Sequence, residues 1–290
     1  MKRITIFIML VALIAGVTSA RSVRKKTARG VSAQQEAQSS VPTTDLDIAI
    51  AAYCNDDFTT ASNAINRHIQ NNPNDAFGWT CLAAIYSELE DDHQALQALA
   101  KANSCHIDES DPTMLNWMYF THSSVHLQAQ DTISAIEDLN KALRYDNTDV
   151  DSYLRRGNIF KKMRRFDEAL VDYGMIVQLN PKEVEGYLGI GTVSGSLGKR
   201  KDAIKAFTKA IELEPDVAEC YALRAVEYYN DQDYKKAVKD VISALERDKE
   251  NARALWVLEY LKMDAMDDVV KEFNDKAKKT KDPSWLEIIE

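Results

Sequence analysis

The chain is poor in the residues that make turns. Ten glycines and six prolines in 290 residues are too few for the many tight reversals of an all-β protein, and the scarcity favours helices. Cysteine is sparse too. Cys54, Cys81, Cys105 and Cys220 are four in a long chain with no CxxC, which is no disulfide framework. An exported chain could still join Cys81 to Cys105; the alternative makes all four small apolar side chains within helices. GxSxG, HExxH, P-loop and GxGxxG patterns are missing. Gly189, Gly191 and Gly195 sit in a helical pattern without the strand that a phosphate loop needs. No catalytic residue, cofactor or metal is therefore assigned, and the chain does not read as an enzyme.

The ends of the charge scale are separated along the chain. Lys2 and Arg3 precede an apolar run from Ile4 to Val17, followed by Thr18-Ser19-Ala20. This is the pattern of a signal peptide over 1–20. At about 14 residues the run falls short of the roughly 20 that a spanning helix needs, so no span is expected in the mature form, and the competing reading is an uncleaved anchor. Residues 21–44 hold Arg21, Arg24, Lys25, Lys26 and Arg29 among Ser, Gln and Ala and read as a flexible basic linker. Residues 45–290 carry −15 of the total −9, set against +2 and +4 in the two preceding segments. Such an acidic body disfavours nucleic acid and suits protein partners. An exported location follows, periplasmic or secreted.

The body repeats. Ala61, Ala95, Ala135, Ala169, Ala203 and Ala237 are separated by 34, 40, 34, 34 and 34 residues. Sixteen residues before the last five stand Trp79, Tyr119, Tyr153, Tyr187 and Tyr221. Twelve before them stand Ala83, Ser123, Gly157, Gly191 and Ala225. Four after the six alanines stand Ile65, Leu99, Leu139, Tyr173, Phe207 and Val241. Pro181 and Pro215 keep the 34-residue step, and Pro283 lies two steps on. Within 184–217, Tyr187, Ile190 and Gly191 mark one helix and Gly198 ends it. Ala203, Ile204, Phe207, Ala210 and Ile211 mark a second, and Pro215 stops it. Small residues face large ones where two helices cross, and a lone hairpin cannot bury that face without stacked neighbours.

These columns resemble the tetratricopeptide repeat (TPR), a 34-residue helix–turn–helix unit. The match is carried by Tyr187, Ile190-Gly191, Ala203, Phe207, Ala210 and Pro215, by Tyr153, Gly157, Phe160, Ala169, Tyr173 and Pro181, and by Tyr221, Ala225, Tyr228, Ala237 and Ala244. The resemblance implies an all-α, right-handed α–α superhelix. Its units are 76–109, 116–149, 150–183, 184–217 and 218–251, with divergent units at 42–75 and 252–285. In the last of these Lys271 falls on the alanine column. Residues 286–290, with Trp285 just before them, should form a capping helix. The six extra residues between Cys105 and Asn116 should lengthen a loop or a helix end.

The resemblance also implies a function, binding of a protein or peptide on the concave surface lined by the first helix of each unit. The implied ligand-facing residues are Phe77, Thr80, Trp117, Phe120, Leu127, Asp151, Leu154, Asn158, Lys161, Lys162, Leu188, Thr192 and Tyr229. Trp117 and Phe120 could instead pack beneath the neighbouring insertion. Lys161, Lys162, Arg164 and Arg165 could be a solvated helix end. Arg155 and Asn158 suggest part of a carboxylate clamp, but Glu185 and Glu219 replace the lysines that a full clamp requires. His122 and His126, four apart, have a spacing that could hold a metal, yet both fall on inward-packing columns. The acidic clusters Asp108-Glu109-Ser110-Asp111 and Asp146 to Asp151 lack the glycine and glutamate of a calcium loop. A structural component that self-associates within an envelope assembly is the alternative to the adaptor.

Overall fold

The computed structural model describes residues 44–107 and 109–289. The signal-like segment and all but the last residue of the basic stretch lie outside the described residues. Within them are fifteen helices and no strand. They fall into two compact units divided between Asn147 and Thr148.

The first unit holds three hairpins, α1 (Asp45–Cys54) with α2 (Phe58–Asn71), α3 (Ala76–Glu88) with α4 (Asp92–Ser104), and α5 (Pro112–Gln128) with α6 (Thr132–Tyr145). The second holds α7 (Val150–Lys162) with α8 (Phe166–Leu179), α9 (Val184–Ser196) with α10 (Arg200–Leu213), α11 (Ala218–Asn230) with α12 (Tyr234–Arg247), α13 (Ala252–Asp264) with α14 (Met266–Thr280), and the single turn α15 (Ser284–Glu287). In each unit a hairpin's two helices pack on each other and on the next hairpin. The extra residues before Asn116 make a loop and one additional turn at the start of α5, where Asp111 caps the helix and Pro112 occupies its first turn.

All six alanines of the repeat column are inaccessible to solvent. So are Ala83, Ser123 and Ala225 in the small-residue column, and Ile65, Leu139, Tyr173 and Val241 in the large one. The aromatic and proline columns are linked by hydrogen bonds. Trp79 Nε1 donates to the Pro73 carbonyl (2.9 Å), Tyr187 Oη to that of Pro181 (3.2 Å) and Tyr221 Oη to that of Pro215 (3.1 Å). A ring with a polar tip fits here because its body packs between helices while the tip satisfies a loop carbonyl.

One turn design recurs between the helices of a hairpin. It is three residues long, and its middle residue, Asp56, Glu90, Gln130, Arg164, Gly198 or Gln232, has φ between 59° and 71°. Two backbone bonds close it, as in Arg164 N to Lys161 O (3.1 Å) and Arg165 N to Phe160 O (2.9 Å), the Schellman pattern. The third residue then starts the next helix. Asp57, Asp91, Asp131 and Asp233 each accept from a backbone N–H three residues on.

The last hairpin departs from this design and corrects the register expected from the sequence. Ala265 alone joins α13 to α14. Two turn residues are missing, so Val269 and Phe273 take the inward columns, both fully buried, and Lys271 is exposed. Pro283 matches the 34-residue step in number but stands fourteen after Val269, whereas Pro215 stands twelve after Ala203. Trp285 on α15 and Ile289 beyond it pack on this end, with the Trp285 ring 6.1 Å from Phe273.

Polar side chains also bridge the helices of a hairpin. Arg156 grips Asp172 through Nε (2.9 Å) and Nη2 (2.6 Å), and two periods later Arg224 grips Asp240 at 2.7 and 2.8 Å. In the unit between them Ile190 and Ala206 occupy those positions, so either a fully bonded pair or an apolar pair serves. The four cysteines are free thiols, so Cys81 and Cys105 are not joined. Cys81 is buried on α3, and the Cys105 thiol donates to Lys101 O at 3.2 Å. Burial pushes both thiols up.

The closest helix approach sets a test. A Cβ on Gly189 would lie 2.4 Å from Tyr173 Cδ1, whereas one on Gly174 would meet nothing within 4 Å. Gly189→Ala should lower stability by about 1–3 kcal/mol through overpacking, and Gly174→Ala should be neutral or stabilising by up to about 1 kcal/mol. Urea midpoints of the two variants check this.

Candidate functional site

In the first unit, three of the residues expected to face a ligand are turned into the core. Phe77, Thr80 and Trp117 are 8%, 0% and 3% exposed. The Phe77 and Trp117 rings pack 4.8 Å apart, which closes the surface they were expected to open. Phe120 and Leu127 are half-buried. Beside Trp117 lies an apolar cavity of about 30 Å³ with Ile50, Tyr53, Cys81, Ile85 and Thr121 in its wall.

Thr80 and His122 form the polar centre of this unit. Thr80 Oγ1 donates to Ala76 O (2.9 Å), so its contact with His122 Nε2 (2.9 Å) requires the imidazole to donate. That selects the Nε2–H tautomer and leaves Nδ1 a buried lone pair without a partner. Burial, more than the surrounding charges of Asp138, His126 and Lys141, pulls the His122 pKa down to about 4. His126 is committed elsewhere, its Nδ1 lying 2.7 Å from Asp138 Oδ2. The two histidines thus have separate packing partners. Among the described residues no group of three or more His, Cys, Asp or Glu side chains is placed to hold a metal.

In the second unit the expected residues are more open. Asp151, Leu154, Arg155, Asn158 and Lys161 on α7, Leu188 and Thr192 on α9, and Tyr229 on α11 are half-buried, and Lys162 is exposed. Several are held in place. Asn158 Oδ1 accepts from Tyr173 Oη at 2.8 Å, and Thr192 Oγ1 donates to Leu188 O at 2.7 Å. Burial draws the Arg155 pKa down to about 10 against the opposing pull of Asp151 and Asp149. Lys161 is lowered by burial and by Lys162.

Three exposed apolar side chains of this unit, clustered on one helix, were not among those expected. Trp256, Tyr260 and Met263 on α13 are 51%, 40% and 80% exposed. Their spacing puts them on one helix face. The Trp256 and Tyr260 rings are 4.7 Å apart, and Tyr229 joins them 6.0 Å from Tyr260. Tyr229 Oη donates to Asp264 Oδ2 at 2.5 Å, and this bond, ahead of burial, pushes the phenol up to about 12. The signal was available. Trp256, Tyr260 and Met263 are the fifth, ninth and twelfth residues of the unit 252–285, the positions read as ligand-facing in its neighbours. Setting that unit aside as divergent concealed them.

Comparison with known proteins agrees with this geometry. Residues 150–183 and 184–217 each match a family model described as tetratricopeptide repeat. These two segments are therefore tetratricopeptide repeats. Among solved structures, the C-terminal part of a TPR repeat-containing protein from Cytophaga hutchinsonii is similar at 18% identity and TM-score 0.64, over 83% of this chain and 92% of that one. A tetratricopeptide repeat protein from Parabacteroides merdae is similar at 18% identity and TM-score 0.59, over 84% and 96%. YrrB, described as a TPR protein with an unusual peptide-binding site, is similar at 23% identity and TM-score 0.57, over 69% and 100%. The fold is that of tetratricopeptide-repeat proteins. No curated protein matches the sequence.

His122 makes the first unit sensitive to acid. Its folded pKa of about 4 lies below the unperturbed value of 6.5, so the unfolded chain binds the extra proton. The stabilisation is complete above pH 6.5 and is lost as pH falls towards 4, by about 3 kcal/mol at most. Denaturant midpoints measured between pH 6.5 and 5 should fall less steeply in His122→Met than in the parent chain.

Proposed function

We propose that the chain is a protein-interaction scaffold that takes a protein or peptide ligand on the first-helix faces of its second unit. The observation that carries this reading is the exposed face of Trp256, Tyr260 and Met263, extended by Tyr229. A soluble domain seldom leaves a Trp half exposed beside a Met at 80% unless something covers them. Aromatic side chains of this kind dominate the energetics of binding patches. Leu154 and Leu188 supply further apolar area on α7 and α9, with Lys161 and Lys162 as the cationic edge of α7. The role proposed for this surface is that of an adaptor. Peptide binding by YrrB is a precedent for this use of the fold.

The same reading makes the protein an exported one. Support comes from Lys2 and Arg3, the apolar run from Ile4 to Val17 and the small residues up to Ala20. Among the described residues no helix is long and apolar enough to cross a membrane.

The test is recovery of partners from envelope extract on the immobilised chain, followed by affinity measurement with the partner identified. Trp256→Ala combined with Met263→Ala should weaken binding at least about tenfold, the effect of losing a hot spot, with an unchanged circular dichroism spectrum because both side chains lie at the surface. Equal affinity in the double variant would remove this face from the binding site.

A further inference from the structure

Charge is divided between the two units far more sharply than the total suggests. Residues 45–147 hold sixteen Asp and Glu against four Lys and Arg, a net −12; residues 148–290 hold 28 against 25, a net −3. The turns within hairpins concentrate the difference. In the first unit these turns and the residues flanking them present Asp56, Asp57, Glu90, Asp91, Asp92 and Asp131, all exposed, with no Lys or Arg among them. Between two of these hairpins is an open hollow of about 600 Å³ lined by Ser87, Glu88, Glu90, Asp92 and Gln128.

The first two hairpins of the second unit present the opposite sign at the same turns. Lys162, Arg164, Lys199, Arg200 and Lys201 are exposed and form no ion pair among the described residues, while the adjacent Arg165 is spent on Glu168. Five unpaired cations along one edge repel one another, and an anionic surface placed against them relieves that repulsion. Anionic lipid and nucleic acid are poor candidates, because residues 45–290, at −15 with these cations included, are repelled by both. The acidic surface that always accompanies this edge, at the same concentration, is the first unit of another copy.

We propose that this chain binds a second copy of itself, with the cationic turns of the second unit of one copy set against the acidic turns of the first unit of the other. Long Lys and Arg side chains reach into the hollow at Glu88, Glu90 and Asp92. Each copy offers both surfaces, so the contact closes as a two-fold dimer or propagates head to tail. Because the pairing is between exposed charges, it forms quickly and salt screens it. This surface is separate from the Trp256 face and does not depend on the function assigned there.

Sedimentation velocity of the full chain tests it. At about 30 mM salt a concentration-dependent dimer or larger species is expected, and raising the salt to about 500 mM should weaken it at least about tenfold. The triple variants Lys162→Glu/Lys199→Glu/Lys201→Glu and Asp56→Lys/Glu90→Lys/Asp92→Lys should each be monomeric alone. Mixed in equal amounts they should associate, since each then offers the charge the other lacks, and this rescue also shows that both variants are folded. A strict monomer at low salt, association indifferent to salt and to both variants, or a chain that binds anionic vesicles without self-associating would each overturn the proposal.

Discussion

The fold depends on how closely two helices approach at each crossing. An alanine methyl on one helix leaves room for a large side chain four residues on, and a small residue on the facing helix leaves room for the ring it meets. Gly189 and Gly191 show how little slack there is, since a single added carbon would lie 2.4 Å from the ring of Tyr173 and 2.5 Å from that of Phe207. With packing this dense, spacing along the chain matters more than hydrophobicity, and the same residue types recur at fixed separations. The buried Arg156–Asp172 and Arg224–Asp240 pairs work inside this frame. Their replacement by Ile190 and Ala206 in one unit shows that the frame does not require them.

The crossings could be read from the sequence because they leave a numerical trace. Small residues at constant intervals, aromatics sixteen before them and prolines at the same step are hard to produce by chance. What the sequence concealed was whatever depends on the neighbour. Five of the six left-handed turn residues are Asp, Glu, Gln or Arg, so the turns carry no glycine signal, and Gly198 alone announced its own. The one-residue turn at Ala265 moved the inward column to Val269, which counting by 34 placed on Lys271. Phe77 and Trp117 occupy ligand-facing positions by number, but each fills the space the other would have opened. Column position states where a side chain starts; the partner on the neighbouring hairpin decides whether it reaches solvent.

The two units use this frame differently. In the first, the positions that could form a groove are mostly closed by rings and by the Thr80–His122 contact, and the charge is almost entirely acidic. In the second, the corresponding face stays open towards α13, and cations gather at the turns. A repeat scaffold can separate such roles because each hairpin answers mainly to its immediate neighbours. Surface chemistry can then change from one hairpin to the next without disturbing the crossings beneath.

The bonds from Trp79, Tyr187 and Tyr221 to the proline carbonyls have a mechanical consequence. Each fastens the connecting segment between two hairpins to the helix that follows it, so the joint cannot swing freely. At these three joints the connection is tied to the following hairpin, so the two hairpins move together. Joints fastened in this way are stiffer than a bare loop would be, and bending is left to the joints without such a tie.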